Sequence, residues 1–343
     1  MNLEHKNDIT YKTYIEDRDL KQLSILEKHL WGISENDIKR VFQWKYPATA
    51  SIRTGFVAYD GNRLVGFRGF FINNYTDGKN TFPVAILGDA VVHPEYQRRG
   101  IFSRLTSSAI EYFKTTDLKY ILALSSNEKS SAGYIKLGWS PFTHKARGLQ
   151  LVLCNILPIK TLFNYYIGKK LSRNNYTVEC HSVIDTYTAG QLAEYCKSKE
   201  IENKIQLYKD RSFWEYRYAC PIYNYKTLIL RQDNNICGYV TISEAKGASN
   251  GIAHTKILDF AANDSTELKL LINKVELSTN NKIILISLAA LNPYLAKTIN
   301  RRFFFKQQSK NGNMSDYYLA KSINGSDNKL PEFILNYIDI DSM

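Results

Sequence analysis

Two stretches of this 343-residue chain read alike across a long offset. In the first, Phe42-Gln43-Trp44-Lys45-Tyr46-Pro47 precedes an apolar run at 55–59, a turn at Asp60-Gly61-Asn62 and a second run at 64–67. In the other, Trp214-Glu215-Tyr216-Arg217-Tyr218 precedes a run at 227–231, a turn at Asp233-Asn234-Asn235 and a run at 236–240. In one register Trp44 aligns with Tyr216, Lys45 with Arg217, Tyr46 with Tyr218 and Gly66 with Gly238. Asp-Gly and Asp-Asn between alternating apolar runs are hairpin signals. A repeat of this length is a duplicated domain rather than a short solenoid unit, so the chain is constrained to fold as two versions of one architecture. Its length suits two domains as well.

Each half continues in the same order. The first offers a strand at 84–92, a helix at 101–115, a buried strand at 120–124, a helix near 130–137 stopped by Gly138, and a strand near 148–153 that closes the half. Phe102, Leu105, Ala109, Tyr112 and Phe113 recur at helical spacing. The second offers a strand at 256–261, a helix at 267–278, a strand at 282–288 and a helix near 293–300. Alternating strands and helices predict an α/β (α+β) class. The expected division is residues 1–157, a linker or helix at 158–175, and residues 176–343.

The formal net charge of +12 suits attraction to a polyanion (nucleotide, cofactor, RNA or anionic lipid) and equally a solvated basic surface. Five scattered cysteines with no CxxC pair argue against a disulfide framework and fit a reducing cytoplasm. The six histidines show no metal-ligand spacing, so no metal is expected. The polar N-terminus does not read as a signal peptide. The most apolar region, 149–171, is broken by Asn155, Pro158, Lys160 and Lys169 and falls short of a membrane span. A helix lying on a surface around 158–171 stays open.

The stretch from Ala90 to Ser103 reads as a buried strand, a turn, a basic loop with glycine, and a helix start. A helix start directs unpaired N–H groups and a positive dipole end at whatever faces it, and a pyrophosphate suits such a site. Coenzyme A carries one.

Three motifs then carry a resemblance. Val92-x-Pro94-x-x-Gln97-Arg98-Arg99-Gly100-Ile101-Phe102 is similar to the (Q/R)-x-x-G-x-(G/A) loop of the GNAT acyltransferase superfamily. Asn127 stands where that family commonly carries an Asn near the pantetheine arm, and Tyr134-Ile135-Lys136-Leu137-Gly138-Trp139 resembles its Y-x-K-x-G-F ending. The resemblance covers about 11–152 well, and 176–319 by element order only. One departure is Phe102, where the family has Gly or Ala; it is expected to turn inward as the first core residue of the helix.

The resemblance implies two tandem GNAT-like domains, each a mixed, mostly antiparallel sheet flanked by helices. It implies an acyl-coenzyme A donor, with the pantetheine arm paired to Ala90, Val91 and Val92. The amides from Arg98 through Gly100, Ile101 and Phe102 to Ser103 would hold the pyrophosphate, beside Gln97 and the charges of Arg98 and Arg99. Tyr134 is the candidate general acid for the leaving sulfur, and the Val92 N–H the group that polarises the thioester carbonyl. Asp89, His93 and Glu128 are candidate bases; the matching Asp259 in the second half also allows a structural carboxylate. No cysteine stands in a nucleophile setting. The second half lacks the loop, since Ala262-Asn263-Asp264-Ser265-Thr266-Glu267 follows its strand, so one cofactor per chain is expected. Trp44, Tyr46, Arg217 and Tyr218 either hold an acceptor or pack on the sheet.

The expected function is transfer of an acetyl or other acyl group to a primary amine in a ternary complex. The acceptor class by resemblance is a small molecule, such as a nucleotide-linked amino sugar for surface polysaccharide. The alternatives are an aminoacyl-tRNA-dependent transferase of the peptidoglycan type and a non-catalytic coenzyme A-binding regulator. No DNA partner is expected, and a homodimer is left open.

Overall fold

The computed structural model describes residues 9–28, 34–125, 128–144, 146–151, 157–246, 253–281, 283–287, 305–308, 317–323 and 330–335. The first half supplies β1 (Thr10–Thr13), α1 (Glu16–Glu27), α2 (Glu35–Lys45), β2 (Gly55–Asp60), β3 (Arg63–Thr76), β4 (Thr81–Val92), α3 (Ile101–Phe113), β5 (Tyr120–Ala123), α4 (Glu128–Lys136), β6 (Ser140–His144) and β7 (Ala146–Leu151). After α5 (Leu157–Arg173) come β8 (Tyr176–His181), α6 (Thr186–Lys197), β9 (Ile205–Leu207), α7 (Arg211–Tyr218), β10 (Tyr225–Gln232), β11 (Asn235–Lys246), β12 (Ala253–Ala262) and α8 (Ser265–Ser278). The chain ends with β13 (Ile283–Ser287), β14 (Phe305–Gln308), β15 (Tyr317–Ser322) and β16 (Phe333–Ile334). Both expected hairpins form, β2–β3 and β10–β11. Their turns hold Gly61, Asp233 and Asn234 at positive φ, which those residue types tolerate. The helix expected near 293–300 lies outside the described residues.

The strands make two mixed sheets. The first runs β1-β2-β3-β4-β5-β15-β6, with β9 and β16 added beside β3; the second runs β8-β10-β11-β12-β13-β7-β14. Position by position the two orders correspond. In each main path one pair is parallel, β4–β5 in the first and β12–β13 in the second.

The next-to-last position exposes an exchange. In the first sheet it is filled by β15, from the C-terminal part of the chain, which pairs with β5 and β6. In the second it is filled by β7, from the end of the first half, which pairs with β13 and β14. The strand expected near 148–153 therefore closes the second sheet, not its own. Local alternation fixes that a segment is a strand but leaves open which distant edge it joins. The division at 157 and 175 is thus a division of the sequence; residues 157–173 form α5, and a strand crosses the division in each direction.

The exchange is matched by the core. One buried cluster draws Phe71, Val84 and Leu122 from the first sheet, Trp214, Ile229 and Tyr239 from the second half, and Tyr318 and Phe333 from the C-terminal part. A second cluster lies under α3 and α4, a third under α1 and α2, and a fourth between α5, α8 and the second sheet. Along β15, Leu319 enters the α3–α4 cluster while Tyr318 and Ala320 enter the shared one, as strand alternation requires. Across the shared core, Trp44 and Tyr216 stack with ring centroids 4.8 Å apart. These are the residues aligned by the repeat. Trp44 Nε1 donates to the Tyr216 carbonyl at 2.9 Å, and the Tyr216 hydroxyl to the Trp44 carbonyl at 3.4 Å. The two halves therefore meet through side chains that the repeat aligns.

Candidate active site

The β4–β5 ladder is short. It runs from Val84–Tyr120 to Ile86–Leu122, while β4 continues to Val92. On its other edge β4 stays paired to β3, with Arg68 opposite Ala90, Phe67 opposite Val91 and Gly66 opposite Val92. The register slips between Arg68 and Phe70, so β4 carries an extra residue at Gly88–Asp89. Such a bulge bends and twists its strand, and here it coincides with the point where β4 and β5 part. Ala90, Val91 and Val92 thus lie on a stretch of β4 that has no partner strand on its β5 side among the described residues.

Beyond β4, His93 starts a single 3₁₀ turn over Pro94–Tyr96, and the chain enters α3 through an exposed loop. Gln97 folds back to donate to the Val92 carbonyl at 3.2 Å. Arg98 has φ +65°, and the Arg99 guanidinium lies 4.8 Å over the Tyr96 ring. Gly100 is the N-cap, at φ +78°, with open space where a Cβ would stand and no side chain capping the helix. The first turn of α3 carries no acidic residue. The N–H groups of Ile101, Phe102 and Ser103 therefore face outward beside two arginines, a donor set that fits a pyrophosphate. Ile101 is the buried first core residue of α3. Phe102 is half-buried and packs against the edge of the same core, its ring 5.6 Å from that of Tyr134. Asn127 lies outside the described residues.

The chemistry divides between the two faces of β3 and β4. On the α3–α4 face, Tyr134 is 4% exposed, and its hydroxyl accepts a hydrogen bond from Arg68 Nη2 at 3.0 Å. Its ring tilts against those of Phe102 and Trp139. One helical turn earlier, Ser131 Oγ is buried with no hydrogen-bond partner.

On the opposite, α2 face, the Asp89 carboxylate is buried with Lys45 Nζ at 3.1 Å and the Tyr46 hydroxyl at 2.6 Å from Oδ2. Burial, reinforced by Asp89, pushes the Tyr46 hydroxyl well above its ordinary value, so it stays a donor. Gly69 and Gly88 make the room: a Cβ at either would stand 2.2 or 2.7 Å from the Tyr46 hydroxyl oxygen. Asp259 repeats the arrangement in the second half, with Lys209 at 2.8 Å and the Tyr239 hydroxyl at 2.6 Å. The partners come from non-equivalent positions of the repeat, which leaves the structural reading of these carboxylates open beside the catalytic one. His93 is turned to the β2–β3 end, where Arg63 Nη2 reaches its Nε2 at 2.8 Å. Glu128 is exposed at the first residue of α4.

Lys45 also lines a cavity of about 190 Å³ between the halves. Its wall includes Asn73 and Asn74 of β3, Tyr208, Tyr216, and Asp210 and Ser212 at the start of α7. Of the residues read as acceptor candidates, Trp44 packs on Tyr216, Tyr46 holds Asp89, Arg217 is buried, and Tyr218 donates to Thr227 at 2.5 Å. None of the four lines the cavity; Trp44 makes the inter-half contact, and the cavity surface comes largely from residues the repeat did not mark. Arg68 was equally hidden in the reading of residue types; its one signal is a charge set amid the apolar run from Leu64 to Phe71.

Among the described residues no helix is long and apolar enough to cross a membrane. Burial pushes the Cys196 thiol up to about 12, away from thiolate chemistry.

Residues 18–139 match the profile of the acetyltransferase (GNAT) family. No protein of curated function matches the sequence. Among solved structures, a GCN5-related N-acetyltransferase from Anabaena variabilis superposes with TM-score 0.65 at 10% identity, over 92% of this chain and 73% of that one. One from Kribbella flavida gives 0.61 at 12%, over 92% and 71%. A tandem GNAT protein from the clavulanic acid biosynthesis pathway gives 0.53 at 13%, over 93% and all of its own length. The segment 18–139 therefore carries the signature of the GNAT acetyltransferases, and the chain as a whole has the mixed α/β fold of two GNAT-like units.

Proposed function

We propose that this chain is an acyl-coenzyme A-dependent N-acyltransferase acting on a small-molecule amine. The observation that carries the reading is the uncapped, acid-free start of α3 following the stretch of β4 beyond its β5 ladder, with Tyr134 behind it. Acyl-coenzyme A, when bound, supplies the thioester. The α3 amides from Ile101 to Ser103 and the Arg98 and Arg99 side chains hold its pyrophosphate. The open edge at Ala90–Val92 orients its amide-bearing arm as a strand orients a peptide, and the Val92 N–H is the proposed carbonyl donor. Tyr134 gives a proton to the leaving sulfur.

The acceptor enters from the other face, through the cavity beside Lys45. The amides of Asn73 and Asn74, the Asp210 carboxylate and the Ser212 hydroxyl against Tyr208 and Tyr216 suit a hydroxyl-rich amine. A nucleotide-linked amino sugar is the proposed class. Asp89 is the proposed proton acceptor for the attacking nitrogen, reached from the cavity through Lys45.

Calorimetric titration with acetyl-coenzyme A, followed by a mass-spectrometric screen of nucleotide amino sugars, tests this. Absence of both heat and thermal shift refutes the donor; binding without acylation of any amine refutes the enzyme reading in favour of a regulator. Tyr134→Phe is expected to lower kcat by roughly 10²-fold or more; an unchanged rate assigns Tyr134 to packing.

A further inference from the structure

Arg68 sits in the middle of β3, 1% exposed, facing α3 and α4. The other cations whose partners are set out above meet carboxylates: buried Lys45 meets Asp89, and half-buried Lys209 meets Asp259. No carboxylate pairs with Arg68 among the described residues. Its Nη2 donates to the Tyr134 hydroxyl at 3.0 Å, its Nη1 reaches the Gly88 carbonyl at 3.4 Å, and its Nε is buried with no hydrogen-bond partner among the described residues. The guanidinium lies over the rings of Phe70, Phe102 and Tyr134, at 5.2, 5.5 and 5.6 Å. Among the described residues its contacts are thus aromatic faces, one backbone carbonyl and the Tyr134 hydroxyl.

A guanidinium buried without a counter-ion is strongly unfavourable. The Tyr134 hydroxyl shows the same imbalance: it accepts from Arg68, and its own proton has no acceptor among the described residues.

We infer that Arg68 is a positioning residue for acyl transfer, holding the Tyr134 hydroxyl so that its proton points away from the guanidinium and balancing the negative charge left on the oxygen. The inference rests on the acyl-transfer reading above. In the step it serves, the amine nitrogen bonds to the acyl carbon and the carbon–sulfur bond breaks. The bonding pair leaves with sulfur, and sulfur takes the Tyr134 proton. The proton the attacking nitrogen sheds passes to Asp89 and on to solvent, and the phenolate, held against Arg68, is reprotonated from solvent. A fixed cation aimed at developing charge needs no reorganisation as that charge appears.

The test uses the full-length protein and Arg68→Met, Arg68→Lys, Tyr134→Phe and the Met–Phe double variant. The readouts are acetyl-coenzyme A affinity by calorimetry, urea unfolding midpoints, and kcat with the amine found in the screen. Arg68→Met is expected to bind acetyl-coenzyme A within about 3-fold of the parent and to lose about 10- to 100-fold in kcat, the value of a charge-assisted hydrogen bond. Arg68→Lys is expected to recover part of that loss. On the Tyr134→Phe background Arg68→Met should cost no further kcat, and the two midpoint shifts should be non-additive, as for residues in contact. Additive losses, an unchanged kcat, or a loss confined to KM overturn the inference. If the unmodified protein does not bind acetyl-coenzyme A, the acyl-transfer reading itself falls, and the unfolding cycle alone still decides whether Arg68 and Tyr134 are coupled. Should Arg68→Met fail to fold, Arg68→Lys carries the same comparison.

Discussion

Leu319→Ala tests the strand exchange. Leu319 is fully buried near the end of the chain, yet its neighbours in the core are residues of the first half, among them Ala123, Tyr134 and Trp139. Its backbone lies opposite Ala123 of β5 and Pro141 of β6. Truncating a fully buried leucine removes its transfer free energy and leaves a cavity, together about 2–5 kcal/mol. That is a large part of the roughly 5–15 kcal/mol by which domains are stable. Urea unfolding reads the total loss, and hydrogen exchange locates it. Protection should fall at Ile121 and Leu122 of β5 and change little in β13. Because Tyr134 belongs to the same core cluster, kcat should also fall. If protection is lost in β13 while β5 keeps its own, β15 belongs to the second sheet and the exchange argument is refuted.

Three further predictions follow from the site and its surroundings. Gly100→Glu forces a side chain onto φ +78°, costing about 1–2 kcal/mol, and sets a negative charge before the α3 amides; acetyl-coenzyme A binding should vanish while the melting transition persists, and retained affinity would place the pyrophosphate elsewhere. Lys45→Met strands the Asp89 carboxylate in the interior and should cost about 3–5 kcal/mol in urea unfolding; adding Asp89→Asn should restore most of it, and no restoration means the pair is not the source. Glu35 is held at about 2 by Lys28 and Lys39, below its unfolded value of about 4.3. Its contribution is therefore complete above that unfolded value and is lost as pH falls through about 2. Glu35→Gln should make acid unfolding, followed by circular dichroism, shallower across that window; an unchanged slope would show that these contacts do not persist in solution.

The local parts of the site were legible because their signals are local. Gly100 before an amphipathic run announces a helix start, and its positive φ is a conformation glycine adopts without cost. Helical spacing turns Phe102 inward, but Ile101 is the buried first core residue and Phe102 stays half-buried beside Tyr134, since its depth depends on α4 and β3. The aromatic–basic boxes were read with two meanings, and the inward one describes Trp44, Tyr46, Arg217 and Tyr218. The cavity escaped notice because Asn73, Asn74, Asp210 and Ser212 are far apart in sequence and ordinary in type.

Taken by itself, the sequence determined the duplication, the two hairpins, the strand–helix–strand order that follows each of them and the glycine-led start of α3. Turn residues, apolar periodicity and a glycine at a helix start all act within a few residues of themselves. Tertiary structure alone decided that β7 and β15 trade sheets, that Trp44 stacks on its own repeat partner, and that Arg68 reaches Tyr134. Each depends on which distant edge or face a segment meets, and burial of a shared core, rather than local backbone preference, makes that choice.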